Sequence, residues 1–437
     1  MGLTVTSTAS SVFTDLFAER DFTAEEAVLS ISGSCVATST DAEQAGVGAL
    51  AEGRSELITL ALWLMAERLK GSESIWSPLI ATLPLGTIDS PVLWPSEDRK
   101  QLLMGSPCQR EADARAQALE QEWSGIAAAI GNDQSRFPPG AFNKEAFVQA
   151  VVAVIASAVY LPSAQCFAVI PLASTLPRTG QEGAGVTVDY DASTGGVAIR
   201  GLQSIKRGTK LELQDPRPNS ELLLVWGLVE DSNPNDCLYI EASLVRSDRL
   251  FQAKQEILQS QGLGLKELYP VYQDRMPVQL MAYLRLSRMQ NAAELAAANL
   301  EKDVVVSPMN EYEVLQLLLA ECRDRLTAYG SSLEDEVSLL QSRGLSSRER
   351  TACRQRLAEK RILQGALDVV RRRLAPIRGI PTKEGALTGP NSDLADIFKG
   401  MEELPQKPAK LISGFLSWAR GEQDPEWGDK KQPRRKR

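Results

Sequence analysis

The chain has 437 residues, with 48 Lys and Arg against 56 Asp and Glu, a net charge of −8, and no histidine. Its 43% apolar and 24% charged residues describe a folded globular chain long enough for two cores, and the acidic balance argues against a broad nucleic-acid surface. Without imidazole there is no Ser–His–Asp or Cys–His nucleophile, no H-E-x-x-H zinc site and no histidine general base.

In chain order, residues 13–32 read as two short strands around a charged turn, with Phe17, Val28, Leu29 and Ile31 apolar. Leu57, Leu60, Ala61, Leu64 and Leu69 recur at helical spacing and predict a helix over 56–70 that Gly71 ends. Further helices are predicted over 111–130 and 144–160, separated by the turn-forming NDQSRFPPG. The apolar run from Ala146 to Tyr160 is interrupted by Gln149 and falls short of the roughly 18 to 20 residues that span a bilayer, so it reads as a buried helix. After Pro162, CFAVIPLAS, GVTVDYD, GGVAIRGLQS, TKLELQ and CLYIEASLV are short β-branched segments divided by Gly, Pro and Asp. One helix, 221–228, interrupts them behind the turn DPRPNS, with Asn219 or Ser220 as its N-cap.

From Leu250 onward the pattern is helical. The last run, 348–374, opens with Ser346 and Glu349 at capping-box spacing, and Leu357, Ile362, Leu363, Leu367 and Val370 form its buried face. Its charged residues, like the acidic runs Glu25–Glu26 and Glu334–Glu336, read as solvated surface. Beyond Pro376 the chain turns rich in Pro, Gly and Lys, with a short amphipathic LISGFLSWARG and a basic end, Lys430, Lys431, Arg434, Arg435, Lys436 and Arg437. This stretch reads as a flexible tail whose end is either solvated or a contact for nucleic acid, ribosome or an anionic membrane surface.

Six cysteines, Cys35, Cys108, Cys166, Cys237, Cys322 and Cys353, lie far apart with no CxxC pair and read as reduced thiols of an interior compartment. The N terminus lacks the layout of a secretory signal, and Gly2 with Thr6 matches only the loose myristoylation pattern. No G-x-G-x-x-G or G-x-x-x-x-G-K-S/T loop is present to cradle nucleotide phosphates, and no metal site is predicted.

Three phrases carry a resemblance. ALWLMAERLKGSESIWSPLIATLP resembles a Leu-rich helix leading to W-x-x-Y/L-x-x-x-L-P; SPVLWPSEDRKQLLMGS resembles D-S-x-x-x-W-S-E-E-E-L-x-x-L-x-G-S/T; RGTKLELQDPRPNSELLLVWGLVED resembles G-E-Q-V/L-x-I-x-Y-x-x-x-x-N-x-E-L-L-x-x-Y-G-F. On these the chain is identified, from about Val12 to Leu374, as similar to SET-domain proteins of the Rubisco large-subunit methyltransferase-like, protein-lysine methyltransferase family. The resemblance implies an α+β fold: a SET-type β-rich domain over 12–249 with a helical insert at about 54–161, an all-α substrate-binding-like domain over 250–375, and the tail, 376–437. It also implies descent from enzymes that pass a methyl group from S-adenosylmethionine to a protein lysine.

The positions that do this work in the family depart from its pattern. Where P-L/M-A-D-L/M-I/F-N-H-S places an Asn–His pair, this chain has Pro177 and Arg178. Proline offers no polar side chain and no backbone N–H, and arginine is larger and permanently charged. The arginine of S-R-x-F/W/Y falls on Ala158, so a cofactor carboxylate loses its partner. The catalytic tyrosine of Y-G-F falls on Trp226, whose indole carries no hydroxyl; the tyrosine of I-x-Y is also absent, since Gln214 is followed by Asp215. The family's glycine-containing N-terminal loop aligns with SSVFTDLF, which has no glycine.

Two expectations follow. In the first, the chain is a catalytically degenerate SET scaffold that needs no cofactor and binds a protein partner, as a subunit or adaptor in a plastid or related assembly. In the second, it is an active S-adenosylmethionine-dependent protein-lysine methyltransferase with a divergent site. The family lean is to the chloroplast stroma, with cytosol and nucleus open.

Overall fold

The computed structural model describes residues 3–6, 15–180 and 185–377. It divides into two compact units: the first holds the described residues up to Arg99 and Cys108–Pro234, and the second holds Lys100–Pro107 with the described residues from Asn235 onward.

The first unit opens with strands β1 (Leu3–Thr6), β2 (Asp15–Ala18), β3 (Ala27–Ser32) and β4 (Ala37–Thr38). Helices α1 (Asp41–Gln44), α2 (Gly48–Ala51), α3 (Glu56–Lys70), α4 (Ser77–Ile80), α5 (Ser96–Leu102, its end from Lys100 grouped with the second unit), α6 (Pro107–Asn132, from Cys108 in the first) and α7 (Lys144–Ser157) follow. Then come β5 (Val159–Leu161), β6 (Cys166–Val169), β7 (Arg178–Thr179), β8 (Val186–Asp191), β9 (Gly196–Gly201) and β10 (Leu213–Gln214), and helix α8 (Asn219–Trp226). Strand order is β3-β9-β8-β10-β7 in the largest sheet and β4-β6-β5 in a smaller one, with β1 and β2 paired alone.

Two cores support this arrangement. Helix α3 is buried at every position from Leu57 to Glu67, so it needs apolar residues on all sides; Ser55 caps it by accepting from the Ile58 N–H, and Gly71 ends it at φ +58°. It packs with α7, Trp63 and Phe147 in a helical core, while Leu16, Ile170, Val186 and Ile199 belong to the core of the sheets. The predicted helix 56–70 and the strand-rich order after Pro162 are observed. Two predictions shift. The helix expected to run through Tyr160 ends at Ser157, because Ala158 is extended and Tyr160 pairs with Phe167 as part of β5. The helix expected from Glu221 starts at Asn219, and Pro218, rather than Asn219 or Ser220, is its N-cap; the buried Asn219 amide is engaged with the backbone of Glu230 instead.

The second unit contains β11 (Leu238–Ser243), α9 (Phe251–Ser260), β12 (Lys266–Val271), α10 (Val278–Arg288), α11 (Ala292–Ala296), α12 (Pro308–Ala328), α13 (Leu333–Gln341) and α14 (Ser347–Leu374). It is not purely helical: β11, expected among the strands of the first domain, pairs antiparallel with β12, and this compact unit takes in both strands. The Ser346–Glu349 capping box opens α14 as predicted. Glu336 is not a solvated carboxylate, being 1% exposed and paired with Arg356 and Lys360, and Gln355, Glu359 and Lys360 of α14 also face inward. Gly365 lets α14 approach another segment closely, since a Cβ there would lie 1.8 Å from the Gln273 carbonyl oxygen.

All six cysteines are free thiols. Among the described residues no helix is long and apolar enough to cross a membrane, and no cluster of ligating side chains suits a metal ion. Gly2, residues 10–14 of the N-terminal loop, LISGFLSWARG and the basic end lie outside the described residues.

Candidate active site

The segment Pro171–Thr179 begins with a strained turn. Leu172 has φ +65° and ψ −49°, and the Ala173 N–H donates to the Pro171 carbonyl at 2.7 Å, the geometry of a γ-turn that L-residues rarely adopt. Ser174, buried where the family pattern has Asp, stabilises it: its Oγ accepts from the Ile170 N–H at 2.8 Å, and its own N–H donates to the Ile170 carbonyl. This turn delivers Pro177 and β7 beside β10. There the Pro177 carbonyl accepts from the Leu213 N–H at 2.7 Å and the Thr179 carbonyl from the Asp215 N–H at 2.8 Å.

Helix α8 brings Trp226. Arg115 of α6 donates from Nη2 to both carboxylate oxygens of Glu221, at 2.9 and 3.0 Å, and from Nε to Glu111, so α8 is held by an ion pair with a buried guanidinium. Ser90 Oγ donates to the Leu224 carbonyl at 2.5 Å. Gly227 ends the helix in the left-handed region at φ +68°, and a Cβ there would lie 2.7 Å from the Asp89 carbonyl oxygen, so the backbone after Trp226 is fixed. The Trp226 ring is 4% exposed.

Arg178 meets this ring. Its guanidinium carbon lies 5.0 Å from the Trp226 ring centroid, within cation–π range. Its Nη2 donates a long, 3.5 Å bond to the Ala156 carbonyl near the end of α7, while Nε is enclosed with no acceptor. Burial pulls the Arg178 pKa down to about 10; Asp215 opposes that shift and Arg217 adds to it. Asp215 is buried and gripped by Arg217 through Nε at 2.6 Å and through Nη2. Burial works against the Asp215 charge, but Arg217 and then Arg178 outweigh it and hold the carboxyl below its usual range.

Of the residues singled out in sequence, Arg178 and Trp226 are brought into contact, Pro177 anchors the strand pairing, and Ala158 is the C-cap of α7, two residues past the carbonyl that Arg178 touches. The methyl side chain of Ala158 offers no charge. Ser157 and Arg217 were not singled out, and Asp215 was noted only for what it replaces. An Asp-x-Arg pair bounded by prolines was the available signal, but turn chemistry alone explained it in sequence.

The helical core nearby is nearly filled: the space lined by Val92, Arg115, Leu119, Val152, Ile155, Leu224 and Val225 amounts to about 10 Å3, room for one water.

Comparisons with known proteins bear out the resemblance. Residues 245–363 match the family described as Rubisco LSMT substrate-binding. An actin-histidine N-methyltransferase of Gallus gallus is 26% identical over 379 residues, covering 80% of this chain and 63% of that protein; the Homo sapiens protein of the same name is 25% identical over 378 residues with the same coverage. The chain thus spans just under two thirds of the length of these relatives. Among solved structures, Rubisco LSMT bound to AdoMet superposes with a TM-score of 0.69 at 18% identity, over 94% of this chain and 95% of that one. The SET domain of LSMT bound to lysine and AdoHcy gives 0.69 at 19%, over 92% and 95%. The chain has the SET-type fold of LSMT, carries an LSMT-like substrate-binding region, and is homologous to the actin-histidine N-methyltransferases.

Proposed function

We propose that this chain is a SET-type scaffold that has lost methyl transfer and acts by binding a protein partner, as a subunit or adaptor. The observation that supports it most is the guanidinium of Arg178 lying on the face of Trp226, where the family pattern has His and Tyr. These residues do not fit a sulfonium donor. Arg178 puts a permanent positive charge beside the place a second cation would need, Pro177 has no polar side chain, Ala158 leaves a carboxylate without its arginine, and the indole of Trp226 cannot accept a proton as a phenolate does. No step is therefore derived through S-adenosylmethionine. The protein partners of the relatives, actin and Rubisco, support a protein rather than a small molecule as the bound species. A plastid stroma as the compartment rests on the resemblance alone.

The second reading, an active protein methyltransferase with a divergent site, draws on the near-complete superposition with AdoMet-bound LSMT. Incubation of the full chain with methyl-labelled S-adenosylmethionine and purified actin, Rubisco or a plastid extract separates the two. The scaffold reading expects no label on any protein above a no-enzyme control; transfer to one lysine or histidine, abolished by Trp226→Ala, favours the enzyme.

A further inference from the structure

A buried guanidinium ordinarily finds a carboxylate. Arg178 does not. Among the described residues it forms no ion pair; its one hydrogen bond, to the Ala156 carbonyl, is at the 3.5 Å limit, and its Nε donor is enclosed without an acceptor. The neighbouring carboxylate, Asp215, is occupied by Arg217. A polar group next in the chain to the carbonyl that Arg178 touches is also unmatched: Ser157, directly after Ala156, is 0% exposed and its Oγ has no partner. Arg178 Nε and Ser157 Oγ thus each hold a proton to donate and have no acceptor.

The charge at the site points the same way. The charges that act on Arg178 are the Asp215 carboxylate and the Arg217 guanidinium, and Asp215 is already gripped by Arg217, which also feels Glu221. An incoming lysine would find the Trp226 face already covered by Arg178 and would meet like charge; a carboxylate would find charge-assisted donors. Arg178 is half-buried as a residue, so part of its side chain reaches the surface while Nε is enclosed.

We propose that this site takes the carboxylate of an acidic side chain presented by a protein partner, held by Arg178 with Ser157 beside it. This rests on the scaffold reading and specifies its partner: the site accepts an anionic side chain instead of a basic one.

The test uses the full chain labelled with 15N-arginine, in which the Arg178 Nε–Hε resonance is assigned by its loss in Arg178→Lys. It is titrated with capped Gly-Gly-Glu-Gly-Gly, the same peptide with Lys or Gln at its centre, and acetate. The Glu peptide should shift that resonance saturably, the Lys and Gln peptides should not, and acetate should act only at far higher concentration. Ser157→Ala, which keeps the guanidinium, should weaken the Glu peptide by about tenfold with an unchanged unfolding midpoint. An unmoved resonance with the Glu peptide, or an equal response to the Lys peptide, overturns the proposal, and acetate binding as tightly as the peptide overturns the partner as its source. Saturable binding of S-adenosylmethionine would remove the scaffold reading instead, a result read separately by calorimetry.

Discussion

Burying a guanidinium without a carboxylate costs free energy that packing elsewhere must offset, and Arg178 does so with a cation–π contact and one long hydrogen bond. A residue kept at such a cost for structure alone would be better replaced by an apolar side chain of similar length. Arg178→Met is therefore expected to leave the first unit as stable or to stabilise it by about 1 kcal/mol, read from urea unfolding. A loss of more than about 2 kcal/mol would make the guanidinium a structural brace. The sequence made this position visible because Pro177-Arg178 interrupts a recognisable phrase. It could not show that Arg178 lies on Trp226, nor that Ser157 joins it, because those neighbours come from β7, α8 and the end of α7, which only the fold brings together.

At the scale of the element, α14 shows both what periodicity conveys and where it stops. The apolar stripe and the Ser346 capping box were legible, since each depends on spacing within the helix. The inward-facing Gln355, Glu359 and Lys360 were not, since what makes them buriable is remote in sequence. Glu359 accepts from Ser106 Oγ at 2.8 Å, Tyr329 OH at 2.9 Å and Gln355 Nε2 at 2.9 Å, while Lys360 pairs with Glu336 at 2.7 Å. These environments drive two buried carboxyls in opposite directions. Burial pushes Glu359 up to about 7, its hydrogen bonds only partly opposing it and Asp236 adding to the rise. Burial also opposes the charge on Glu336, but Arg356, Cys353 and Lys360 prevail and hold it at about 2.

The sign for Glu359 follows. Its folded pKa lies above the unfolded value, so between roughly pH 4.5 and 7 the folded chain binds the extra proton and stability falls as pH rises, levelling off above 7. The fall amounts to about 3 kcal/mol at most. Glu359→Gln keeps the shape and removes the titration, so unfolding of the second unit at pH 5 and pH 8 should differ much less in the variant than in the wild type. A wild-type stability that does not fall over that window would contradict this account of the carboxyl.

For the whole molecule, the order of strand pair, helical insert, strand-rich half and helical unit was readable, because element type follows local pattern and the order matches a known architecture. Strand β11 reads locally like the strands before it, and only its pairing with β12 groups it with the residues of the second unit. The absence of histidine, a bound on the whole chain, acquires a location: the β7 position that the family pattern gives to His holds Arg178, whose guanidinium lies over the Trp226 ring. On the scaffold reading, that guanidinium stands where a cationic methyl donor would have to come close. Isothermal titration of the full chain with S-adenosylmethionine tests this most directly. The account predicts no saturable heat at any concentration up to the millimolar range; one-site binding with a micromolar Kd would contradict it.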